Sequence, residues 1–295
     1  MKLGKLGVWA SLDGLTAEAG LEIAKRIEQF GYAALWMPES RGRNVLVHSA
    51  WLLAGTTKLV VASGIANIYA RDAMAMASAQ RGLNEQSNDR FLLGVGVSHA
   101  PTVSTLRGHV YGKPVATMRA YLQAMRAATY AAPPPPEPTL TVIAALGPRM
   151  LALAAELADG AHPYNVPPEH TAEARGILGT GKLVCTEQMV VLETNPSEAR
   201  RVARAGLSRY LQLENYVKNW RRLGFGDDDL AGGGSNRFLD ANVAWGDEAA
   251  IRVRIQEHWD AGADHVCIQP MRIEDSRQTL DERILELLGP DPREK

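Results

Sequence analysis

The sequence has no long hydrophobic run and no excess of charge of either sign. No segment approaches the roughly 18 apolar residues that a membrane span requires, and the first residues lead into a strand-like segment without a signal-peptide pattern. With 32 basic and 33 acidic residues, the formal net charge is -1, so the chain lacks the electrostatic footprint of a protein that binds nucleic acid or an anionic membrane. We therefore expect a cytoplasmic protein with neither kind of partner.

Cysteine is also scarce, and known catalytic and metal-binding spacings are missing. Cys185 and Cys267 lie within apolar runs, which is typical of buried, reduced thiols in a cytosolic protein. The 7 histidines show neither H-x-H nor H-E-x-x-H spacing, so we predict no metal site. A nucleophile elbow and a phosphate loop are missing as well.

What the sequence does contain is an alternation of short β-branched runs with longer amphipathic segments. Residues 6–10 predict a strand, residues 16–30 a helix that ends at Gly31, and residues 33–37 the next strand. The same order of N-cap, helix, glycine and strand returns over residues 247–268. About eight such units, with strands buried on both faces, favour a closed (β/α)8 barrel over a doubly wound open sheet.

The remaining segments fit one domain over residues 1–295. Further strands are predicted at residues 58–65, 91–97, 140–145, 161–166 and 184–192. Further helices are predicted at residues 45–53, 72–84, 115–128 and 148–158, with a long helical stretch at 197–223. The region 207–242 is too long for a single crossover, so we predict an insertion near the barrel mouth.

In such a barrel, the active site forms at the carboxyl ends of the strands. Gly147 and Pro148 suit a turn into a helix N-terminus, where free N–H groups favour a phosphate and Arg149 lies nearby. An ordinary strand-to-helix turn has the same free donors and is the alternative. His99 and His162 follow predicted strands, where a general acid or base would be placed; hydrogen-bonded structural histidines are the alternative.

Several ordered segments together resemble the bacterial luciferase-like superfamily, and within it the coenzyme F420-dependent (deazaflavin) oxidoreductases. They span nearly the whole chain and are residues 35–39, 64–71, 93–98, 144–150 with 158–160, and 243–247 with 261–266. The resemblance implies a (β/α)8 TIM barrel that holds a flavin-type ring at the carboxyl end of its sheet, in a homodimer. It also implies a non-proline cis peptide bond, Gly64–Ile65 or Ser63–Gly64, that supports the ring.

The same resemblance implies which residues contact the cofactor. It places the cofactor phosphate at Gly147–Arg149 and so favours the anion-site interpretation. The implied contacts follow the third, fourth and fifth strands and are Ser63, Gly64, Ile65, Asn67, Ser98, Ala145, Leu146, Gly147, Pro148 and Arg149.

Two departures from the family pattern affect the proton chemistry. Many deazaflavin-dependent relatives have an Asp-His pair where this chain has Glu39-Ser40, and sugar-phosphate-oxidising relatives often have an acidic residue where this chain has His99. A sugar phosphate is therefore a disfavoured substrate. The candidates for the proton donor or acceptor are His99, Glu39 and Tyr164, in that order.

The resemblance implies hydride transfer between coenzyme F420 and a small organic substrate. A monooxygenase that uses reduced FMN and oxygen is the second hypothesis, with the same fold and phosphate site. A barrel that binds a flavin or phosphate ligand without turnover is the third, and an unrelated phosphate-binding isomerase or aldolase is the fourth. The aromatic residues of the insertion, Tyr210, Tyr216, Trp220 and Phe238, suggest an apolar or aromatic substrate.

Overall fold

The computed structural model describes residues 1–273 and 280–290, which contain ten β-strands and twelve α-helices. The strands are β1 (Leu6–Trp9), β2 (Ala34–Met37), β3 (Val60–Ser63), β4 (Ala66–Asn67), β5 (Phe91–Gly96), β6 (Thr141–Ile143), β7 (Gly160–Ala161), β8 (Leu183–Leu192), β9 (Val243–Gly246) and β10 (His265–Pro270). The helices are α1 (Ala17–Gln29), α2 (Val45–Gly55), α3 (Ala73–Ser87), α4 (Pro114–Ala127), α5 (Pro148–Leu157), α6 (Pro168–Leu178), α7 (Pro196–Leu207), α8 (Glu214–Arg222), α9 (Asp227–Leu230), α10 (Asn236–Asn242), α11 (Glu248–Asp260) and α12 (Glu282–Leu288).

The strands form a closed parallel barrel, as predicted. The order β10-β1-β2-β3-β5-β6-β7-β8 closes through parallel pairing of β8 with β10. Strand β4 continues beyond β3 and pairs with β5, and β9 pairs with the last four residues of β8. The (β/α)8 fold is thus confirmed, and its strand ends define one mouth at which ligand-binding residues meet.

The interior of the barrel is filled by side chains. The inner cluster contains Trp9, Trp36, Cys185 and Cys267 together with smaller apolar residues. A larger cluster packs the outer face of the sheet against the helices. Both cysteines are buried and free, as the sequence predicted. Among the helices of residues 1–273 and 280–290, none is long and apolar enough to cross a membrane.

Local capping explains where several helices begin. The Thr16 hydroxyl accepts a hydrogen bond from the Ala19 N–H at the start of α1, and Asp72 and Asp247 cap α3 and α11 through their carboxylates. Each side chain satisfies a backbone donor that the helix itself leaves unpaired. The helix starts inferred from these residues are confirmed.

Two predicted elements were wrong in length. The long helix at 197–223 is divided into α7, a 3₁₀ turn at Tyr210–Gln212 and α8, with Leu213 in an extended conformation between the last two. Tertiary packing accounts for the break, because the Tyr210 ring contacts those of Tyr164 and Tyr216. Strand β7 consists of Gly160 and Ala161, so only Ala161 of the strand predicted at 161–166 is in it, and Asn165 adopts a left-handed conformation with φ 55°.

The segment between α7 and β9 forms a separate layer beside the barrel mouth. Its helices α8 and α10 pack with α7 against the last residues of β8. The apolar cluster there includes Met189, Tyr216, Trp220 and Phe238. This segment, residues 208–242, is called the insertion below.

Candidate functional site

A backbone bulge at the end of β3 forms one wall of the barrel mouth. The cis peptide bond expected from the family resemblance lies between Gly64 and Ile65. The Gly64 carbonyl accepts a hydrogen bond from Trp9 Nε1 at 3.0 Å. A Cβ atom at Gly64 would lie 2.9 Å from Trp9 Nε1 and 3.1 Å from His162 Nε2. The bulge therefore approaches two aromatic side chains so closely that only glycine fits without a shift.

Neighbouring glycines hold the bulge against β5. The Ser63 hydroxyl donates to the Gly94 carbonyl at 2.8 Å and accepts from the Gly94 N–H at 3.0 Å. A Cβ at Gly94 would lie 2.0 Å from the Ser63 carbonyl oxygen, and one at Gly96 would lie 2.6 Å from Ile65 Cδ1. Gly94 and Gly96 thus allow the close approach that places Ser63, Gly64 and Ile65 at the mouth.

A buried ion pair supports the loop that carries Asn67. The Glu39 carboxylate accepts hydrogen bonds from the Arg71 guanidinium through two nitrogens, from the Asn67 N–H at 2.8 Å and from the Val45 N–H at 3.4 Å. The Glu39 and Arg71 side chains are 4% and 10% exposed. Because its carboxylate is engaged by this many donors, Glu39 positions the loop; its role as an acid stays a prediction.

Asn67 presents an unused donor at the mouth. Its backbone is held by Glu39, and its Oδ1 accepts from the Tyr69 N–H at 2.9 Å. The side chain is buried, yet Nδ2 has no hydrogen-bond partner. A buried amide donor without a partner is costly, and it can be satisfied by an oxygen or nitrogen of a bound ligand.

His162 lies beneath the bulge and stacks on Trp36, with ring centroids 4.4 Å apart. Its Nδ1 donates to the Cys185 carbonyl at 2.7 Å, and Nε2 has no partner. Burial lowers the pKa of His162 to about 4, so the imidazole is neutral at pH 7 and its free Nε2 is an acceptor. His162 therefore lies on the interior of the barrel with one ring nitrogen bonded to the backbone and the other unpaired beside Gly64.

His99 and Ser98 follow β5 at the mouth. Ser98 has a positive φ of 56°, and its carbonyl accepts from the Tyr111 hydroxyl at 3.3 Å. The His99 ring lies 5.9 Å from the Tyr216 ring of the insertion. Burial, followed by the nearby Arg209 charge, lowers the pKa of His99, so its neutral form is favoured at pH 7.

Tyr164 joins the bulge to the insertion. Its ring lies 5.2 Å from the Trp9 ring and 5.5 Å from the Tyr210 ring. Its hydroxyl donates to Gln269 Oε1 at 2.8 Å and accepts from the Tyr210 hydroxyl at 3.1 Å. The structure therefore connects His99 and Tyr164 through Tyr216 and Tyr210, whereas Glu39 belongs to the cluster with Arg71.

The N-terminus of α5 opens next to the exit of β6. Gly147 is the N-cap and Pro148 is the first helical residue. A Cβ at Gly147 would meet no atom within 4 Å, and Pro148 and Arg149 are exposed, while Ala145 is buried. This helix end has free N–H groups and open space in front of it, as an anion site requires.

The Leu146 carbonyl anchors the insertion to this turn. It accepts from His170 Nε2 at 2.7 Å and from Arg222 Nη2 at 3.3 Å. Arg222 belongs to α8 and is also paired with Glu173 of α6. The contact fixes Leu146 immediately before Gly147 and places a cation beside the predicted phosphate site.

Sequence reasoning missed Glu187 and Asn165. Glu187 lies in the middle of β8, completely buried, and burial raises its pKa to about 8. Its Oε2 accepts from the Asn165 N–H at 2.9 Å. An acidic residue inside an apolar strand run is a signal that could have identified Glu187.

In residues 1–273 and 280–290, no three His, Cys, Asp or Glu side chains cluster as a metal site.

Comparison with known proteins identifies the family. The family model for luciferase-like monooxygenases matches residues 3–265. A Mycobacterium tuberculosis protein, whose name provisionally assigns it a coenzyme F420-dependent oxidoreductase activity, is 28% identical over 127 residues, which are 43% of this chain and 36% of that protein. The match thus spans about a third of the length of this curated relative.

Two solved structures share the fold. An F420-dependent secondary alcohol dehydrogenase in complex with an F420–acetone adduct has a TM-score of 0.73 at 15% identity, and the match covers 91% of this chain and 93% of that one. The FMN complex of the oxygenating constituent of 3,6-diketocamphane monooxygenase from Pseudomonas putida, a type II Baeyer-Villiger monooxygenase, has a TM-score of 0.68 at 14% identity, with 97% and 96% covered. The family model matches most of the chain, and the structure has the barrel that these relatives share. The chain therefore belongs to the luciferase-like monooxygenase family.

Proposed function

We propose that this protein is an oxidoreductase that binds coenzyme F420 and transfers a hydride between C5 of the deazaflavin and a small organic substrate. The family membership supports an oxidoreductase. The partial match to a relative named for F420 dependence and the fold shared with an F420-dependent dehydrogenase favour the deazaflavin. When bound, the cofactor supplies the hydride chemistry, and the protein supplies binding, orientation and proton transfer.

The observation that carries the proposal is the unpartnered Nδ2 of Asn67 beside the Gly64–Ile65 bulge. This buried donor fits a carbonyl oxygen or ring nitrogen at the edge of a flavin-type ring. The bulge offers backbone without side-chain bulk at Gly64, so a planar ring can approach it closely. Glu39 and Arg71 keep Asn67 in place and so support ring binding without contacting the ring themselves.

The helix α5 would hold the phosphate of the cofactor. Its N-terminus carries free N–H groups, and Gly147 leaves the approach open. Arg149 and Arg222 supply positive charge on the two sides of this turn. Ala145 and Leu146 set the position of the turn at the end of β6.

His99 is the leading candidate for proton transfer. Because burial and Arg209 lower its pKa, the imidazole is neutral at pH 7 and is able to accept the proton of an alcohol substrate. Tyr164 ranks lower, since burial raises the pKa of its phenol and its hydroxyl is bonded on both sides. Glu39 ranks last because its carboxylate is already engaged.

A monooxygenase that uses reduced FMN and oxygen is the second candidate. The FMN complex with the same fold favours it, and the same bulge, Asn67 and α5 would serve either cofactor. A barrel that binds its cofactor without turnover is the third candidate.

A fluorescence titration with coenzyme F420, and separately with oxidised and reduced FMN, tests the proposal. Tight and selective F420 binding is expected, and Asn67→Ala should weaken it about tenfold, which is roughly 1.4 kcal/mol for one hydrogen bond. Asn236→Ala, on the exposed surface of α10, is the matched control and should leave affinity unchanged. Selective binding of reduced FMN would establish the monooxygenase instead, and affinity for neither cofactor would reject both.

We also propose a homodimer, as the family resemblance implies. Helices α2 and α3 carry exposed apolar side chains, with Val47 70%, Trp51 46% and Met74 55% exposed, and such side chains are favoured at subunit contacts. Sedimentation equilibrium should give twice the chain mass, and Val47→Glu should shift the protein to monomer. A monomeric wild-type protein would reject the proposal.

A further inference from the structure

A second group of polar atoms at the mouth is not used by the cofactor-binding residues or by His99. It centres on Glu187, which lies two residues after Cys185 in β8. Because every second residue of a strand faces the same side, Glu187 faces the barrel interior as Cys185 does. The Glu187 side chain is completely buried, and its Oε2 accepts from the Asn165 N–H at 2.9 Å. Its Oε1 has no hydrogen-bond partner.

Asn165 adds two more unpaired atoms at the same place. Its carbonyl accepts from Trp220 Nε1 at 3.2 Å, and its backbone N–H is used by Glu187. The side chain is 1% exposed, and neither Nδ2 nor Oδ1 makes a well-formed hydrogen bond, although the amide lies close enough to the Tyr210 hydroxyl to lower the pKa of that phenol. Native proteins pair almost all buried polar atoms, so three unpaired atoms on two hydrogen-bonded residues indicate a polar group that they receive from outside the chain.

The protonation of Glu187 defines which group fits. Burial raises its pKa to about 8, so the carboxyl is neutral at pH 7 and carries both a donor and an acceptor. The Asn165 amide likewise offers donors and an acceptor. A neutral carbonyl or hydroxyl oxygen complements such a pair, whereas an ion buried there would lack a counter-charge.

Aromatic side chains surround this polar pair and connect it to the cofactor site. The carboxyl of Glu187 lies close enough to Tyr164, Tyr210 and Tyr216 to affect the pKa of each phenol. Tyr164 in turn contacts Trp9, which is bonded to Gly64 of the bulge. The pair therefore lies at the same end of the barrel as the bulge, under rings that suit an apolar group.

We propose that Asn165 and Glu187 form a polar subsite that binds the neutral carbonyl or hydroxyl oxygen of the substrate, with the apolar remainder packed against Tyr164, Tyr210 and Tyr216. This inference rests on the proposed function, because it names the substrate class of the same site. Because the Glu187 carboxyl is fully buried, substrate access requires the rings of Tyr210 and Tyr216 to turn away from it. Both tyrosines belong to the insertion.

Ligand-observed NMR with five compounds of one ring size tests the subsite. The probes are cyclohexanone, cyclohexanol, methylcyclohexane, cyclohexanecarboxylate and cyclohexylamine, measured on the full chain with and without F420. The ketone and the alcohol should bind at least tenfold more tightly than the other three. Glu187→Leu should abolish this preference, while Glu187→Gln should retain it because an amide also offers a donor and an acceptor. Glu169→Gln, on the exposed surface of α6, is the control.

A second variant protects the test against misfolding. Asn165→Gly removes the amide and tolerates the positive φ, so it should also lose the preference, even if Glu187→Leu does not fold. Preference for the amine, the carboxylate or the hydrocarbon, or an unchanged preference in Asn165→Gly, would overturn the subsite.

The cofactor titration separates failure of the subsite from failure of the proposed function. A protein that binds neither F420 nor FMN, but loses its ketone preference in Asn165→Gly, would retain the subsite and reject the function. A protein that binds F420 but shows no preference among the five probes would retain the function and reject the subsite.

Discussion

Replacing Gly147 by aspartate should stabilise the fold and weaken cofactor binding at the same time. Gly147 is the N-cap of α5 in an extended conformation (φ −84°, ψ 156°), and a Cβ there meets no atom within 4 Å. Aspartate is a better N-cap than glycine by a few tenths of a kcal/mol, and its charge adds about 0.3–1 kcal/mol at the positive end of the helix. The melting temperature should therefore rise by roughly 1–3 °C.

The same carboxylate would lie beside the space proposed for the cofactor phosphate. Two like charges about 6 Å apart repel by about 3 kcal/mol at an effective dielectric constant of about 20, which corresponds to roughly a 100-fold loss of affinity. Salt at about 0.1 M screens part of this repulsion, so we expect at least a tenfold loss in the F420 titration, and a smaller loss as the salt concentration rises.

Gly147→Asn is the matched control, because it has the same shape and capping ability without the charge. It should stabilise α5 to a similar extent and reduce affinity much less than Gly147→Asp. Equal cofactor affinities for the two variants would refute the reasoning, because no anion would then lie in front of α5. A lower melting temperature for both would refute the assignment of Gly147 as an unstrained N-cap.

Three further changes test the mouth and its supports. Glu39→Gln leaves Arg71 buried without its counter-charge and should lower the free energy of unfolding, measured by urea denaturation, by about 3–5 kcal/mol. The double variant Glu39→Gln/Arg71→Met should recover much of this loss. A loss below about 1 kcal/mol in Glu39→Gln would argue against the ion pair. Gly64→Val should abolish cofactor binding and leave the far-ultraviolet circular dichroism unchanged, since its side chain would meet Trp9; unchanged affinity would contradict the placement of the ring. Because the pKa of Glu187 is raised to about 8 in the folded state, the folded protein keeps a proton that the unfolded chain releases above its ordinary pKa of about 4.3. The unfolding free energy of the wild type relative to Glu187→Gln should then fall by about 1.4 kcal/mol per pH unit between about pH 5 and 8, and parallel pH profiles would contradict this shift.

The fold was largely predictable because its signals are local. The cap of α11 at Asp247, the turn at Gly262 and the strand that follows all lie within one short segment, and each reflects the backbone chemistry of its own residues. Repetition of such segments predicts a barrel, since parallel strands need helical crossovers.

The division of the predicted helix at 197–223 depends on distant residues. Its sequence keeps a helical pattern, but Tyr210 contacts Tyr164, which is 46 residues earlier in the chain. No local pattern contains that contact, so tertiary packing overrides the helical propensity.

The candidate site was predictable in part. Gly64, Asn67 and Gly147 were found through the strand exits and the family resemblance, and the structure places them at the mouth. Glu39 shows the limit of this approach, because its position was predicted while its pairing with Arg71 depends on side-chain packing. Glu187 was overlooked since it lies inside a strand rather than at its exit, and Asn165 became significant only through its contact with Glu187.

Strand β8 takes part both in the barrel and in the support of the insertion. Its first two residues pair with β7 and Cys185–Val190 pair with β10 in the barrel, while Met189–Leu192 pair with β9 and support the insertion, so Met189 and Val190 take part in both. The insertion has its own apolar cluster, distinct from the clusters inside and around the barrel. Mutations of Tyr210 and Tyr216 can therefore remodel the aromatic wall of the proposed substrate subsite, whereas mutations of Arg222 would also affect the proposed phosphate site. Changes confined to these rings would alter the proposed substrate specificity and leave the proposed ring-binding segment at Gly64 and Asn67 in place.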